Sequence, residues 1–222
     1  MATQSVTQPG ATTQVEPFFQ RVLGWTRTHR QATNWVSAIL IVAAVLVVWT
    51  ASSTRRSELI AGRQLQGARY AFDNSNLPLA ASELARINEN YSGTNAAAEG
   101  RLLLAQVRLT QGQAQQAVEL LKDWASGSGG AFRAQAFGLL GAAYENLGKA
   151  REAAEAYQNG AERARMSFLK AQMLSDAGRA WAAAGDTTKA IAAYRRIVDD
   201  MPKEPAVTEA TVRLGELTKG TR

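Results

Sequence analysis

Residues 136–161 read AFGLLGAAYENLGKAREAAEAYQNGA, and this stretch decides the fold. Apolar and small residues recur in it at helical spacing, and a glycine divides it into two segments. The recurring positions are Leu140–Gly141, Tyr144, Gly148, Ala153 and Tyr157, and 37 residues later Ala177–Gly178, Trp181, Gly185, Ala190 and Tyr194. A fixed period of this size indicates stacked helical hairpins.

Two weaker copies precede the strong pair. Successive shifts of 36 residues give Leu104–Ala105, Arg108, Gly112, Ala117 and Leu121, and then Ala68–Arg69, Phe72, Asn76, Ala81 and Ala85. We therefore predict hairpins near residues 59–92, 96–126, 131–165 and 168–200, and a capping helix over residues 204–218. Gly141 and Gly178 would let paired helices approach closely, and Gly148 and Gly185 suit left-handed helix ends. An irregular helical bundle is the alternative.

The pattern resembles the tetratricopeptide repeat, through the small residue after a Leu, the aromatic residue three positions on, the Gly turn and the second-helix aromatic residue. The usual period of that repeat is about 34 residues, whereas here it is 36 or 37. The fold class predicted is all-α, with a single N-terminal transmembrane helix followed by a tetratricopeptide-like α-solenoid of helical hairpins over residues 58–219.

The composition argues against an enzyme. The 222 residues include no Cys and one His, His29, which exclude disulfides, thiolate metal sites and a two-His metal site. No Gly-rich phosphate loop precedes a Lys-Ser/Thr pair. We therefore predict no catalytic residue, no metal, no cofactor and no small-molecule substrate.

The net charge of +6 does not indicate nucleic-acid binding. About half of the excess lies in the first 58 residues, beside one hydrophobic segment, and the rest is spread over a region of mixed charge. This distribution suits a basic collar flanking a membrane span better than a stripe for nucleic acid.

The hydrophobic segment WVSAILIVAAVLVVW occupies residues 35–49. No charge lies between Arg30 and Arg55, and a spanning helix needs roughly 20 residues. We predict a transmembrane helix over residues 32–53, with Trp35 and Trp49 at the membrane interfaces. The alternatives are a buried core helix, which would lack the usual polar stripe, and a signal peptide cleaved near residues 51–53.

The residues before the span divide into two predicted segments. Residues 1–16 are rich in Gln, Thr and Ser and are predicted to be a disordered tail. Residues 17–31 combine apolar residues at helical spacing with arginines, which favours an amphipathic segment on an anionic membrane surface. Arginines flank the span on both sides, so their count does not decide the topology.

A hairpin array has one extended concave face, formed mainly by the first helix of each hairpin. The repeat frame predicts a protein-binding set of residues on that face, with Tyr70, Leu102 and Leu109 as anchors. The set is Arg63, Gln66, Tyr70, Asp73, Glu99, Leu102, Gln106, Leu109, Gln135, Glu145, Asn146, Gln172 and Arg179. For each of these residues the alternative is a solvated position that contacts no partner.

The architecture resembles the family of ancillary SecYEG translocon subunits, which are membrane-anchored tetratricopeptide proteins of bacteria. The residues that carry the resemblance are Phe18–Arg30, Trp35–Trp49, and Tyr91–Asn95 followed by GRLLLAQVRLTQGQAQQAVELL. It implies a periplasmic repeat domain that contacts the SecYEG translocon and periplasmic chaperones. The departures are a Gln/Thr-rich start, where that family is often acidic, and a shorter C-terminal end.

We therefore predict a membrane-anchored, non-enzymatic protein-binding repeat module that assists protein translocation or chaperone handover. The predicted location is the bacterial inner (cytoplasmic) membrane, single-pass, with the C-terminal domain in the periplasm. The alternative is a structural assembly subunit of an envelope complex, such as a pilus, a secretion apparatus or a cytochrome-maturation complex. For a regulatory or transferase role, the sequence offers no set of catalytic residues.

Overall fold

The computed structural model describes residues 30–127 and 132–219, which are helical and contain no strand. Each predicted hairpin is present, and so is the final helix, so the predicted all-α solenoid is confirmed. The helices of the described residues are α1 (Arg30–Asp73), α2 (Leu77–Asn90), α3 (Asn95–Thr110), α4 (Ala114–Gly127), α5 (Arg133–Asn146), α6 (Ala150–Arg163), α7 (Ser167–Ala183), α8 (Thr187–Asp200) and α9 (Ala206–Thr218).

The chain divides into two compact units, one ending at Ser53 and the other beginning at Thr54. In the first unit the large apolar side chains from Ile39 to Trp49 are between 54% and 73% exposed, as is Trp35. One helix of the described residues, within Ala38–Asp73, is long and apolar enough to cross a bilayer, and its most apolar window is not buried by protein. This is a candidate membrane span, and its exposure argues against a buried core helix. The tail over residues 1–16 and most of the segment over residues 17–31 lie outside the described residues.

The second unit is the array of hairpins, and the same backbone conformation recurs in its turns. Gly112, Gly148 and Gly185 have φ angles of +73°, +70° and +80°, which is the left-handed conformation that glycine adopts without steric cost. In the first hairpin this conformation falls on Ser75, with φ of 60°. The 36-residue spacing had placed it at Asn76, one residue too late, and Asn76 instead caps α2 by accepting a hydrogen bond of 3.3 Å from the Leu79 amide.

In two hairpins the paired helices approach closely where a glycine faces an aromatic ring. A Cβ atom on Gly141 would lie 2.7 Å from the ring of Tyr157, and one on Gly178 would lie 2.7 Å from the ring of Tyr194. Tyr157 and Tyr194 are 5% and 2% exposed, so each ring occupies the space that the missing side chain leaves. The predicted role of both glycines is confirmed.

The core is a row of local clusters rather than one centre. The first cluster packs Leu65 of α1 against Leu84 and Ile87 of α2, and the cluster at the other end packs Ile197 and Met201 against α9. Alanine fills many of the remaining buried positions, which allows short distances between helix axes. Each hairpin therefore relies on its immediate neighbours for burial, as expected for a repeat array.

Candidate protein-binding groove

The first helices of the hairpins form the wall of an open groove with a volume of 500 Å³. Its floor is apolar, with Leu102 and Leu103 from α3, Leu139 from α5, and Leu169 and Met173 from α7. The complete lining is Arg69, Glu99, Leu102, Leu103, Gln106, Gln135, Gly138, Leu139, Ala142, Tyr157, Leu169, Gln172, Met173 and Asp176.

One helical stripe of each first helix lines the groove. The positions are 99, 102, 103 and 106 on α3, then 135, 138, 139 and 142 on α5, and 169, 172, 173 and 176 on α7. This spacing of three and four residues is one face of an α-helix. The opposite stripes, which include Leu104, Leu140 and Leu174, are buried in the core, so core packing fixes the direction of the lining side chains.

Glutamine side chains give the groove a neutral polar component. Gln106, Gln135 and Gln172 project from α3, α5 and α7. The Oε1 atom of Gln135 is buried and accepts no hydrogen bond from any described residue. Primary amides both donate and accept hydrogen bonds, which suits them to the peptide groups of an extended chain.

An ion pair closes one end of the groove. The guanidinium of Arg69 on α1 pairs with the carboxylate of Glu99 on α3, and both side chains remain partly exposed. Neighbouring hairpins are thus linked across the rim, and the two charges neutralise each other.

The other end carries a connected set of polar groups. The hydroxyl of Tyr157 donates to Glu145 over 2.9 Å, and Arg179 bonds both Glu145 and Asp176, the latter over 2.9 Å. Burial raises the pKa of Tyr157, and its hydrogen bond to Glu145 raises it further. Burial likewise raises the pKa of Asp176, although Arg179 opposes this shift. These groups join the third hairpin to the fourth.

Beyond this end, the concave side continues between α7 and α9 as a second hollow of 380 Å³. The α7 side of this hollow is lined by Phe168, Ala171, Gln172, Ser175 and Asp176. The opposite side, at the start of α9, is lined by Glu204, Pro205, Ala206 and Glu209.

The structure brings part of the predicted binding set together. Glu99, Leu102, Gln106, Gln135 and Gln172 line the groove. Glu145 and Arg179 form its charged end without facing the floor.

The other predicted residues lie outside the lining. On α1, Arg63, Gln66, Tyr70 and Asp73 are exposed, and Arg69 takes the lining position instead. Asn146 is exposed at the end of α5. Leu109 is half-buried, packs on the second core cluster and lies outside the lining. Whether any residue of the set contacts a partner stays a prediction.

Sequence reasoning missed much of the apolar floor. The predicted concave set does not include Leu103, Leu139, Leu169 and Met173, nor does it include Arg69, Gly138, Ala142, Tyr157 and Asp176. A step of four residues from Gln135 leads to Leu139, a step of three back from Gln172 leads to Leu169, and a step of four from Leu169 leads to Met173. These residues resembled ordinary core positions because they are also apolar and on helices.

The part of the chain that the structure describes holds no group of three or more His, Cys, Asp or Glu side chains arranged for a metal ion. The groove offers apolar contact, amide groups and fixed charges.

A family model described as a tetratricopeptide repeat-like domain matches residues 51–173, which is more than half of the chain. The chain belongs to the tetratricopeptide repeat-like family. A fold of this kind is typically a non-enzymatic scaffold that binds protein partners. No curated protein sequence matches the chain.

Solved structures share the tetratricopeptide-like fold. The nearly identical TPR-like repeats assigned to a kinesin light chain of Podosopora anserina align with a TM-score of 0.57 at 20% identity, covering 71% of this chain and 85% of that one. MamA aligns with a TM-score of 0.58 at 19% identity, covering 72% and 81%. A tetratricopeptide repeat protein from Parabacteroides merdae ATCC 43184 aligns at 0.58 and 14% identity, covering 72% and 60%. At these identities the likeness concerns the fold alone.

Proposed function

We propose that this protein is a membrane-anchored, non-enzymatic module that binds polypeptide segments in its concave groove at the bacterial inner membrane. The repeat domain faces the periplasm, where it assists protein translocation or the handover of clients to chaperones. The translocon and periplasmic chaperones are the partners that the resemblance to ancillary translocon subunits suggests.

The observation that carries the anchoring is the exposure of the apolar segment. Its large side chains, such as Leu46 and Val48, are 54% and 67% exposed, and a continuous apolar surface of this kind is unfavourable in water. A bilayer removes it from water. Tethering by one span would also raise the local concentration of the groove near membrane-bound partners.

The membrane placement is tested by protease protection of a C-terminal tag. We expect the tag to be digested in spheroplasts and protected in inverted inner-membrane vesicles, with a cytoplasmic protein as the lysis control. Digestion only in inverted vesicles would put the repeat domain in the cytoplasm and defeat the periplasmic assignment.

The groove is tested with the full chain in lipid nanodiscs and fluorescein-labelled extended peptides. Replacing Leu139 with lysine puts an unpaired charge on the apolar floor, and we expect binding to fall by at least tenfold. The matched control is Leu79→Lys, because Leu79 is 45% exposed on α2 and lies outside the lining. Equal binding by both variants would show that the groove is not the site.

A second candidate function is a structural subunit of an envelope assembly. It is favoured by Leu59 and Ile60, adjacent apolar residues of the array that are 65% and 46% exposed. A single stoichiometric partner that co-purifies with the chain, and that is lost on Leu59→Gln with Ile60→Gln but kept on Leu139→Lys, would establish this function instead.

A further inference from the structure

The concave groove and the hollow between α7 and α9 adjoin each other, and we call the two together the channel. Gln172 and Asp176 line both sections. A segment that lies on the apolar floor of the first section has only these two side chains between it and the second section. The charges along this channel bear on what kind of segment fits it.

The channel is negative although the molecule is positive. Its lining contains one arginine, Arg69, and four carboxylates, those of Glu99, Asp176, Glu204 and Glu209. The whole chain has a net charge of +6. Arg69 neutralises Glu99, so the negative surplus lies at the α7–α9 end.

The three carboxylates at that end differ in how they are held. Asp176 bonds Arg179 at 2.9 Å, and Glu209 lies 4.0 Å from Arg213. Glu204 accepts a hydrogen bond from the hydroxyl of Ser167. Among the described residues no lysine or arginine forms an ion pair with Glu204, so this carboxylate retains acceptor capacity towards the channel.

An aromatic ring accompanies this carboxylate. Phe168 lines the same hollow and is 53% exposed. A large ring on a surface offers its negative face to cations, and it also accepts the methylene groups of a lysine or arginine stem. Carboxylate and ring together are complementary to a basic side chain, not to an acidic or a purely apolar one.

Building on the proposed polypeptide-binding function, we propose that the channel selects extended segments in which apolar residues are joined to a lysine or arginine. The apolar side chains lie on Leu139, Leu169 and Met173, and the basic side chain enters the α7–α9 end between Phe168 and Glu204. The channel thus selects its ligand by charge as well as by hydrophobicity.

The test uses the full chain in nanodiscs of zwitterionic lipid and a matched set of labelled ten-residue peptides of Leu, Val and Thr. Each peptide carries Lys, Gln or Glu at one position near either end, so both directions of binding are covered. We expect the better Lys peptide to bind about fivefold more tightly than its Gln partner, as an exposed ion pair with a cation–π contact would give. The Glu peptide should bind more weakly still, and the Lys preference should shrink at high salt.

Two variants assign the preference to the proposed residues. Glu204→Gln and Phe168→Leu should each lower the ratio of Lys-peptide affinity to Gln-peptide affinity towards one. The matched control is Glu155→Gln, because Glu155 is exposed on α6 and lines a different hollow. Circular dichroism checks that each variant keeps its helical content.

The outcomes separate this proposal from the proposed function. Equal affinity for Lys, Gln and Glu peptides, with binding still lost on Leu139→Lys, would overturn the charge selection and leave polypeptide binding intact. A Lys preference that survives Glu204→Gln and Phe168→Leu would place the basic residue elsewhere and overturn the assignment. Binding by none of the peptides would overturn both.

Discussion

The ring of Tyr157 lies directly against the backbone of Gly141, where a Cβ atom would sit 2.7 Å from the ring carbons. The same contact recurs one hairpin later between Gly178 and Tyr194. Because the hydroxyl of Tyr157 also donates to Glu145, the ring cannot withdraw without breaking that hydrogen bond. Gly141 therefore sets both a helix–helix distance and the position of a residue that lines the groove.

Replacement of Gly141 by alanine should destabilise the array. The added methyl group must displace a buried ring, and overpacking of this kind costs about 1–3 kcal/mol. The free energy of unfolding can be measured by urea titration of the chain in detergent micelles, followed by circular dichroism.

Gly62 supplies the matched control for this substitution. It lies within α1, and a Cβ atom placed there would meet nothing within 4 Å. Gly62→Ala should stabilise the helix by about 0.5–1 kcal/mol, because alanine has the higher helix propensity. A Gly141→Ala variant as stable as Gly62→Ala would show that the Tyr157 contact is not tight.

Ser75 is a position where glycine should be better than the natural residue. It has a φ of 60° and is exposed in the first turn, and the left-handed conformation costs a non-glycine residue about 1–2 kcal/mol. Ser75→Gly should raise the free energy of unfolding by about 1 kcal/mol. Ser82→Gly, in the interior of α2, should lower it by about 0.5 kcal/mol, and a stabilising effect of both changes would contradict this explanation.

Glu58 joins the first hairpin to the second by capping a helix. Its carboxylate accepts hydrogen bonds of 2.9 Å from the amides of Asn95 and Ala96 at the start of α3. These amides have no partner within their own helix. Glu58→Ala should cost about 1–2 kcal/mol, as loss of a helix cap does.

Hydrogen exchange locates this effect. The amides of Asn95 and Ala96 should exchange faster in Glu58→Ala, and less so in Glu58→Gln, which keeps one acceptor oxygen. Glu89→Ala, at an exposed position of α2, should change stability by less than about 0.5 kcal/mol. Unchanged exchange at these two amides would refute the capping role.

Asp176 should give the array a specific dependence on pH. Burial holds the pKa of its carboxyl above the unfolded value, so the folded chain binds this proton more tightly than the unfolded chain does. Its contribution therefore favours folding fully below the unfolded pKa of about 4, and it is lost as the pH rises through the folded pKa.

The neutral variant Asp176→Asn isolates this contribution. The stability of the wild type relative to Asp176→Asn should fall as the pH is raised from 3 towards neutrality. Because Arg179 lowers the pKa of Asp176, an Arg179→Met background should move that fall to higher pH. A relative stability that rises with pH would mean that the ion pair outweighs burial.

The repeating frame was enough to predict the helices of the array, since glycine turns and buried aromatic rings recur at a constant spacing. It failed by one residue at Ser75, where a serine occupies a position that glycine fills in the other turns. The constant shift of 36 residues set the register there, whereas the interval from Ser75 to Gly112 is 37 residues.

The groove was predicted less fully than the fold. Gln135 and Gln172 were found because polar residues at first-helix positions stand out in a pattern. Leu139 and Met173 are apolar like core residues, and only the packing of α5 and α7 shows that they line a groove, although Met173 is just 5% exposed. The acidic end could not be found from the sequence, because Glu204 and Asp176 come together only through the docking of α9 beside α7.

The near-constant interval between the left-handed turns at Ser75, Gly112, Gly148 and Gly185 makes the length of the molecule adjustable in whole units. A duplicated block of 36 or 37 residues, inserted at such an interval, would contain its own turn. It would also supply its own side of the interface with each neighbouring hairpin. Tandem duplication during evolution could therefore lengthen the groove by one hairpin without changes to the sequence of the neighbouring hairpins. The reach of such a receptor would change in discrete steps, and engineered chains with one hairpin added or removed would measure how many ligand residues each step accommodates.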